Sequence, residues 1–122
     1  MTADRGAILV YHRRMLEELS RDDRMLLLEF VCAFAWTDLE VTDAERRFVQ
    51  RLAARLGLDA EEHKQVEHWL YVAPSPHAID PARVPVAHRK DFVEAVRAMI
   101  YADGHVDTEE RMRFEQFKAS LA

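Results

Sequence analysis

The chain has 122 residues, enough for a single domain with a modest core. It is 49% apolar and 32% charged, a balance that excludes a disordered chain. A net charge of −5, from 17 basic and 22 acidic residues, argues against a nucleic-acid partner, which would call for a clustered basic face against phosphate.

In chain order, a first helix is expected over residues 3–19. Ile8, Tyr11, His12, Met15, Leu16 and Leu19 recur there at three- and four-residue steps and form one apolar stripe. Ser20, three residues before Asp23, is a start signal for a second helix over 21–36. That helix is apolar nearly all round, from Met25 through Trp36, and should be buried on most sides. Thr42 and Glu45 read as a capping box for a third helix that reaches Leu56, where Gly57 is a natural stop. Asp59 and Glu62 repeat the start signal for a fourth helix through Val66, Trp69 and Leu70. Residues 72–88 break the pattern, because Pro74, Pro76, Pro81 and Pro85 forbid a continuous helix. Within the break, Asp80-Pro81 predicts a short helical turn. A fifth helix follows over 86–102 and a last one over 108–121, the latter after the cap pair Asp107 and Glu110. The class is therefore all-α, a single-domain bundle of six or seven helices over residues 1–122. Its expected core includes Leu28, Val31, Phe34, Val41, Val96, Met99 and Val106.

An internal repeat organises these elements. A shift of 65 residues lays 29–46 on 94–111, and seven of the 18 positions are then identical: Glu29/Glu94, Val31/Val96, Ala33/Ala98, Asp38/Asp103, Val41/Val106, Glu45/Glu110 and Arg46/Arg111. Chance gives about one. One helix–turn–helix unit is thus used twice, a first unit over 21–71 and a second over 89–122, joined by the Pro-rich 72–88. Each unit places an Asp after a helix, a Val at core depth and a Glu in the next helix. Capping accounts for the Glu and less fully for the Asp. Clustered carboxylates with turn carbonyls are also what Ca²⁺ or Mg²⁺ take as ligands. An EF-hand is excluded: its twelfth position would be Phe114 or Val49 instead of a bidentate acid, and its sixth-position glycine is missing.

The stretch Ala102-Asp103-Gly104-His105-Val106-Asp107-Thr108-Glu109-Glu110 is similar to the Ala-Asp-Gly-x-Ile/Val-x-x-x-Glu signature of the TerB-like family, small all-helical proteins named from bacterial tellurite-resistance operons. The degenerate copy at Asp38 and Glu45, the repeat spacing and the Leu56-Gly57-Leu58 stop extend the resemblance over residues 21–121. It implies a compact bundle of about seven helices, no known enzyme chemistry, and acids that bind a divalent metal. It also implies a link to stress response or to membrane-associated complexes. Carried over by position, the metal-site candidates are Asp38 and Glu45 in the first copy and Asp103 and Glu110 in the second. The first copy departs from the pattern at Leu39, where glycine is expected.

The other chemistry-bearing residues read as structural. Glu29 and Glu94 fit partly exposed helix-edge acids or salt bridges to a nearby Arg, although antiparallel core helices would bring each toward the other copy's turn. Cys32 lies in the most apolar stretch and fits an inert buried thiol. As the single cysteine it excludes an intramolecular disulfide and fits a reducing compartment. His63, Glu67 and His68 crowd one helix without a third metal ligand in view. His12 fits a helix edge, and Trp36, Trp69, Tyr71 and Tyr101 fit packing at helix ends. No P-loop, G-x-G-x-x-G, G-x-S-x-G or C-x-x-C occurs. No apolar run reaches the ~18 residues of a membrane span, and the first five residues lack an apolar signal core. The expectation is a non-enzymatic cytoplasmic module with a protein partner, free or at the membrane periphery. The alternative to a metal-binding module is a metal-independent adaptor.

Overall fold

The computed structural model describes residues 18–37, 39–102, 104 and 108–121. Among them are five α-helices and no strand: α1 (Arg21–Ala35), α2 (Asp43–Arg55), α3 (Ala60–Tyr71), α4 (Arg89–Ile100) and α5 (Thr108–Ser120). The all-α class is as expected, and the count of six or seven is not reached among the described residues. Most of the helix expected over 3–19, with His12, lies outside them, as does Val106.

Local chemistry starts these helices where the sequence places them. Ser20 Oγ accepts from the Asp23 N–H at 3.1 Å, and Asp22 and Asp23 face the positive end of the α1 dipole. Thr42 Oγ1 accepts from the Glu45 N–H at 3.1 Å while Glu45 Oε1 accepts from the Thr42 N–H at 2.9 Å, a complete capping box. Asp59 and Glu62 make the same reciprocal pair at α3, at 2.8 and 2.9 Å. The hydrogen bond from the Glu62 N–H, with the charge of Arg21, holds the Asp59 carboxyl below its ordinary value. Arg21 reaches Asp59 at 2.5 Å and Glu62 at 2.7 Å, which fastens the start of α1 to the start of α3. Gly57 closes α2 at φ +65°, the left-handed geometry its position requires.

The connection is more ordered than its prolines suggest. It holds three 3-10 turns, Pro76–Ile79, Pro81–Arg83 and Val86–His88, of which only the second was expected. Turns of three or four residues show no hydrophobic period, so the sequence signals them only where a cap precedes a proline, as at Asp80. Asp80 Oδ1 there accepts from the Ala82 N–H at 3.0 Å. Ala78 and Val84 are buried, so the connection packs onto the core. The expected start of the fifth helix at 86 is corrected: Val86–His88 stays 3-10 and the α-helix begins at Arg89.

α1 is the central element, packed against α2, α3, α4 and the Pro76–Ile79 turn. Leu27, Leu28, Phe30, Val31, Cys32, Phe34 and Ala35 are all buried along it. Phe30 meets Phe92 of α4 edge-on, centroids 5.5 Å apart, and Phe117 of α5 at the same distance. Phe117 also packs 5.1 Å from Phe34. Leu28, Val31, Phe34, Val41, Val96 and Met99 are core residues, as expected. Burial pushes the Cys32 thiol up to about 12, with the charges of Glu67 and Glu29 adding to it, which leaves it a poor nucleophile.

Candidate functional site

The two acidic turns join α1 to α2 and α4 to α5. After α1, the Trp36 N–H donates to the Cys32 carbonyl at 3.2 Å, Thr37 N–H to Phe34 at 3.1 Å and Leu39 N–H to Trp36 at 2.9 Å. After α4, Tyr101 N–H donates to Arg97 at 3.1 Å, Ala102 N–H to Met99 at 3.1 Å and Gly104 N–H to Tyr101 at 3.1 Å. Each bond in the second set falls 65 residues after its counterpart. Leu39 stands at φ +68° and Gly104 at φ +74°, so equivalent positions share the left-handed conformation. Leucine takes that conformation at a cost of about 1–2 kcal/mol, because its Cβ crowds the following carbonyl.

Leu39 is 86% exposed, so its side chain gives back little through burial. Leu39→Gly should therefore raise stability by about 0.5–1 kcal/mol, the relieved strain less the extra freedom glycine has when unfolded. Gly104→Leu should lower it by a similar amount; the added Cβ meets nothing within 4 Å, so the loss is conformational. Urea unfolding of both variants checks the opposite signs, and two shifts of one sign would contradict the shared geometry.

Of the acids expected at the site, Asp38 and Asp103 lie outside the described residues. Glu45 and Glu110, also 65 apart, are the two buried charged residues among those described, 2% and 4% exposed. Two carboxylates held this deep must be matched by hydrogen bonds or cations, since burial of an unmatched charge is strongly unfavourable. At Glu45 the Thr42 N–H is one such match. Among the described residues, no three His, Cys, Asp or Glu side chains are gathered so as to hold a metal ion. His63, Glu67 and His68 are exposed on α3, and Glu67 accepts from Gln50 Nε2 at 3.4 Å. Trp36 Nε1 donates to the Trp69 carbonyl at 2.7 Å, and the Arg46 guanidinium lies 4.8 Å over the Tyr71 ring.

Glu29 takes the salt-bridge reading: Arg83 Nη2 donates to its Oε1 at 2.6 Å, and the Arg83 Nη1 donates to the Ala78 carbonyl at 3.0 Å. Glu94 lies 4.0 Å from Arg97 on its own helix. Two arrangements have no expectation behind them. His88 is held between carboxylates, Nδ1 3.1 Å from Asp91 and Nε2 4.0 Å from Asp23, which brings the N-terminal ends of α1 and α4 together. The His88/Asp91 spacing of three was the available signal. The other is an open groove of about 510 Å³ between α1, Trp69 of α3 and Arg83 of the connection. Its α1 wall carries Asp22, Asp23, Met25, Leu26 and Glu29. No family model matches the chain, and neither does any curated protein or solved structure.

Proposed function

We propose that the chain is a non-enzymatic, TerB-like helical module of two helix–turn–helix units, whose acidic turns bind a divalent cation such as Ca²⁺ or Mg²⁺ in a stress-response role. The observation that carries this reading is the doubled turn: left-handed Leu39 and Gly104, each followed six residues later by a buried Glu45 or Glu110. The bounds of α2, moved by 65, are those of α5, which supports two copies of one unit. The second turn is the stronger of the two, since Gly104 takes the left-handed conformation without strain and adjoins Asp103. Asp103 and Glu110 would supply the carboxylates. Two acids with turn carbonyls make a weak, partly hydrated site, with Kd of about 10⁻⁴–10⁻³ M for Ca²⁺.

The Thr42–Glu45 capping box favours a second reading at the first turn. Glu45 Oε1 is already taken by the Thr42 N–H, so that turn serves structure, and the module would dock a protein partner without metal.

Thermal unfolding with and without metal separates the two. At about 10 mM Ca²⁺ the wild type should gain about 1–3 kcal/mol, several degrees in Tm. Asp103→Asn/Glu110→Gln should abolish most of that gain. No shift in the wild type, or an equal shift in the variant, leaves the metal-independent adaptor.

A further inference from the structure

Two side chains of the first unit hold the carbonyl end of α3. That helix stops at Tyr71, so the Trp69 and Leu70 carbonyls have no partner within it. Trp36 Nε1 donates to the Trp69 carbonyl at 2.7 Å, and Arg46 Nη1 donates to the Leu70 carbonyl at 3.5 Å. The Arg46 guanidinium, 4.8 Å over the Tyr71 ring, also faces the negative end of the α3 dipole. Trp36 follows α1 directly and Arg46 stands near the start of α2, so the two flank one acidic turn.

In the second unit the same two positions are Tyr101 and Arg111. Tyr101 follows α4 as Trp36 follows α1, and Arg111 stands in α5 where Arg46 stands in α2. The backbone bonds that end α1 and α4 correspond, so the two turns present these positions alike. The chemistry is kept as well, an aromatic side chain with one donor and a guanidinium. Their surroundings differ. Trp36 and Arg46 are half-buried beside α3, whereas Tyr101 is 47% exposed and Arg111 is exposed too. Among the described residues, nothing hydrogen-bonds to or pairs with either side chain.

We propose that Tyr101 and Arg111 receive the C-terminal end of a partner protein's helix, as Trp36 and Arg46 receive that of α3. The occupant is defined by its chemistry: a last helical turn with free carbonyls and negative partial charge, and an aromatic side chain under the guanidinium. Tyrosine and arginine are the residue types that anchor such contacts. In a second copy of the chain the α3 end is already engaged by its own Trp36 and Arg46, so the partner proposed is a different protein. The inference rests on the reading of the chain as two copies of one unit.

The probe is α3 itself, supplied in trans as an amidated peptide of residues 59–72. A lactam between Lys64 and Ala60→Glu, both positions exposed, keeps it helical, since so short a helix is marginal alone. Titrated into the ¹⁵N-labelled full chain, it should shift the amides of 101–102 and 109–113 saturably. Tyr101→Phe/Arg111→Gln should raise the dissociation constant at least about threefold, the loss of two donors to a helix end. Arg47→Gln, exposed on α2, should leave it unchanged. No shift up to about 1 mM peptide would overturn the proposal, as would shifts confined to 24–50, which would mean that the peptide displaces α3. An unchanged constant in the double variant would overturn the roles given to Tyr101 and Arg111. Without peptide, shifts at 101 and 111 that depend on protein concentration would put a second copy there. An Overhauser contact from the Tyr101 ring to residues 1–17 would make the chain its own occupant. Either result would overturn the foreign partner. None of these outcomes depends on metal, so they leave the reading of the acidic turns untouched.

Discussion

Phe30→Ala is expected to lower the unfolding free energy by about 3–5 kcal/mol. Phe30 is fully buried and joins three helices: its own α1, α4 through Phe92 and α5 through Phe117. Removing the ring withdraws apolar area from the core, leaves a void that tightly packed helices fill only in part, and loses two aromatic contacts. Leu28→Ala and Met99→Ala, at positions equally closed to solvent, should each cost about 2–5 kcal/mol. Met112, 58% exposed on α5, is the control, and its alanine variant should stay within about 0.5 kcal/mol of wild type. Urea midpoints at unchanged slope give the comparison. Losses under about 1 kcal/mol at both Leu28 and Met99 would mean the core has been misplaced. For a domain whose total stability is about 5–15 kcal/mol, Phe30→Ala removes a large share of it.

Glu45→Ala should cost about 2 kcal/mol, because it strands the Thr42 N–H and removes a side chain that is 2% exposed. Thr42→Ala, which removes the reciprocal half of the box, should cost about 1 kcal/mol. Glu45→Gln keeps an oxygen acceptor of nearly the same shape and should cost less than about 1 kcal/mol if capping is the whole role. A Gln variant as unstable as the Ala variant would show that the negative charge itself is required, which points to a cationic partner in the turn. Far-UV circular dichroism through a urea titration reads all three. The comparison at Glu110, buried to the same degree in the second copy, then tells whether the two turns are used alike.

The helix starts were legible because their causes are local. A cap places an oxygen within three residues of an N–H that the helix cannot satisfy, so Ser20 with Asp23, Thr42 with Glu45 and Asp59 with Glu62 announce themselves in the sequence. The burial of α1 from Leu27 to Ala35 was legible for a similar reason: a stretch apolar nearly all round has to be covered on most sides. The left-handed turn at Leu39 carried no signal of its own, since leucine disfavours it. It becomes intelligible only in register with Gly104, where both turns make the same backbone bonds. What the tertiary structure alone decided are the contacts between distant residues. Arg83 meets Glu29 across 54 positions, and His88 draws Asp23 and Asp91 to one place. The groove of Met25, Leu26 and Trp69 exists because α1 and α3 lie side by side, their starts tied by Arg21 and their ends by Trp36. Hydrophobic period and caps act over one or two helical turns and specify which face is buried. They are silent on the neighbour it is buried against, because apolar burial is non-directional and the packing of whole helices makes that choice.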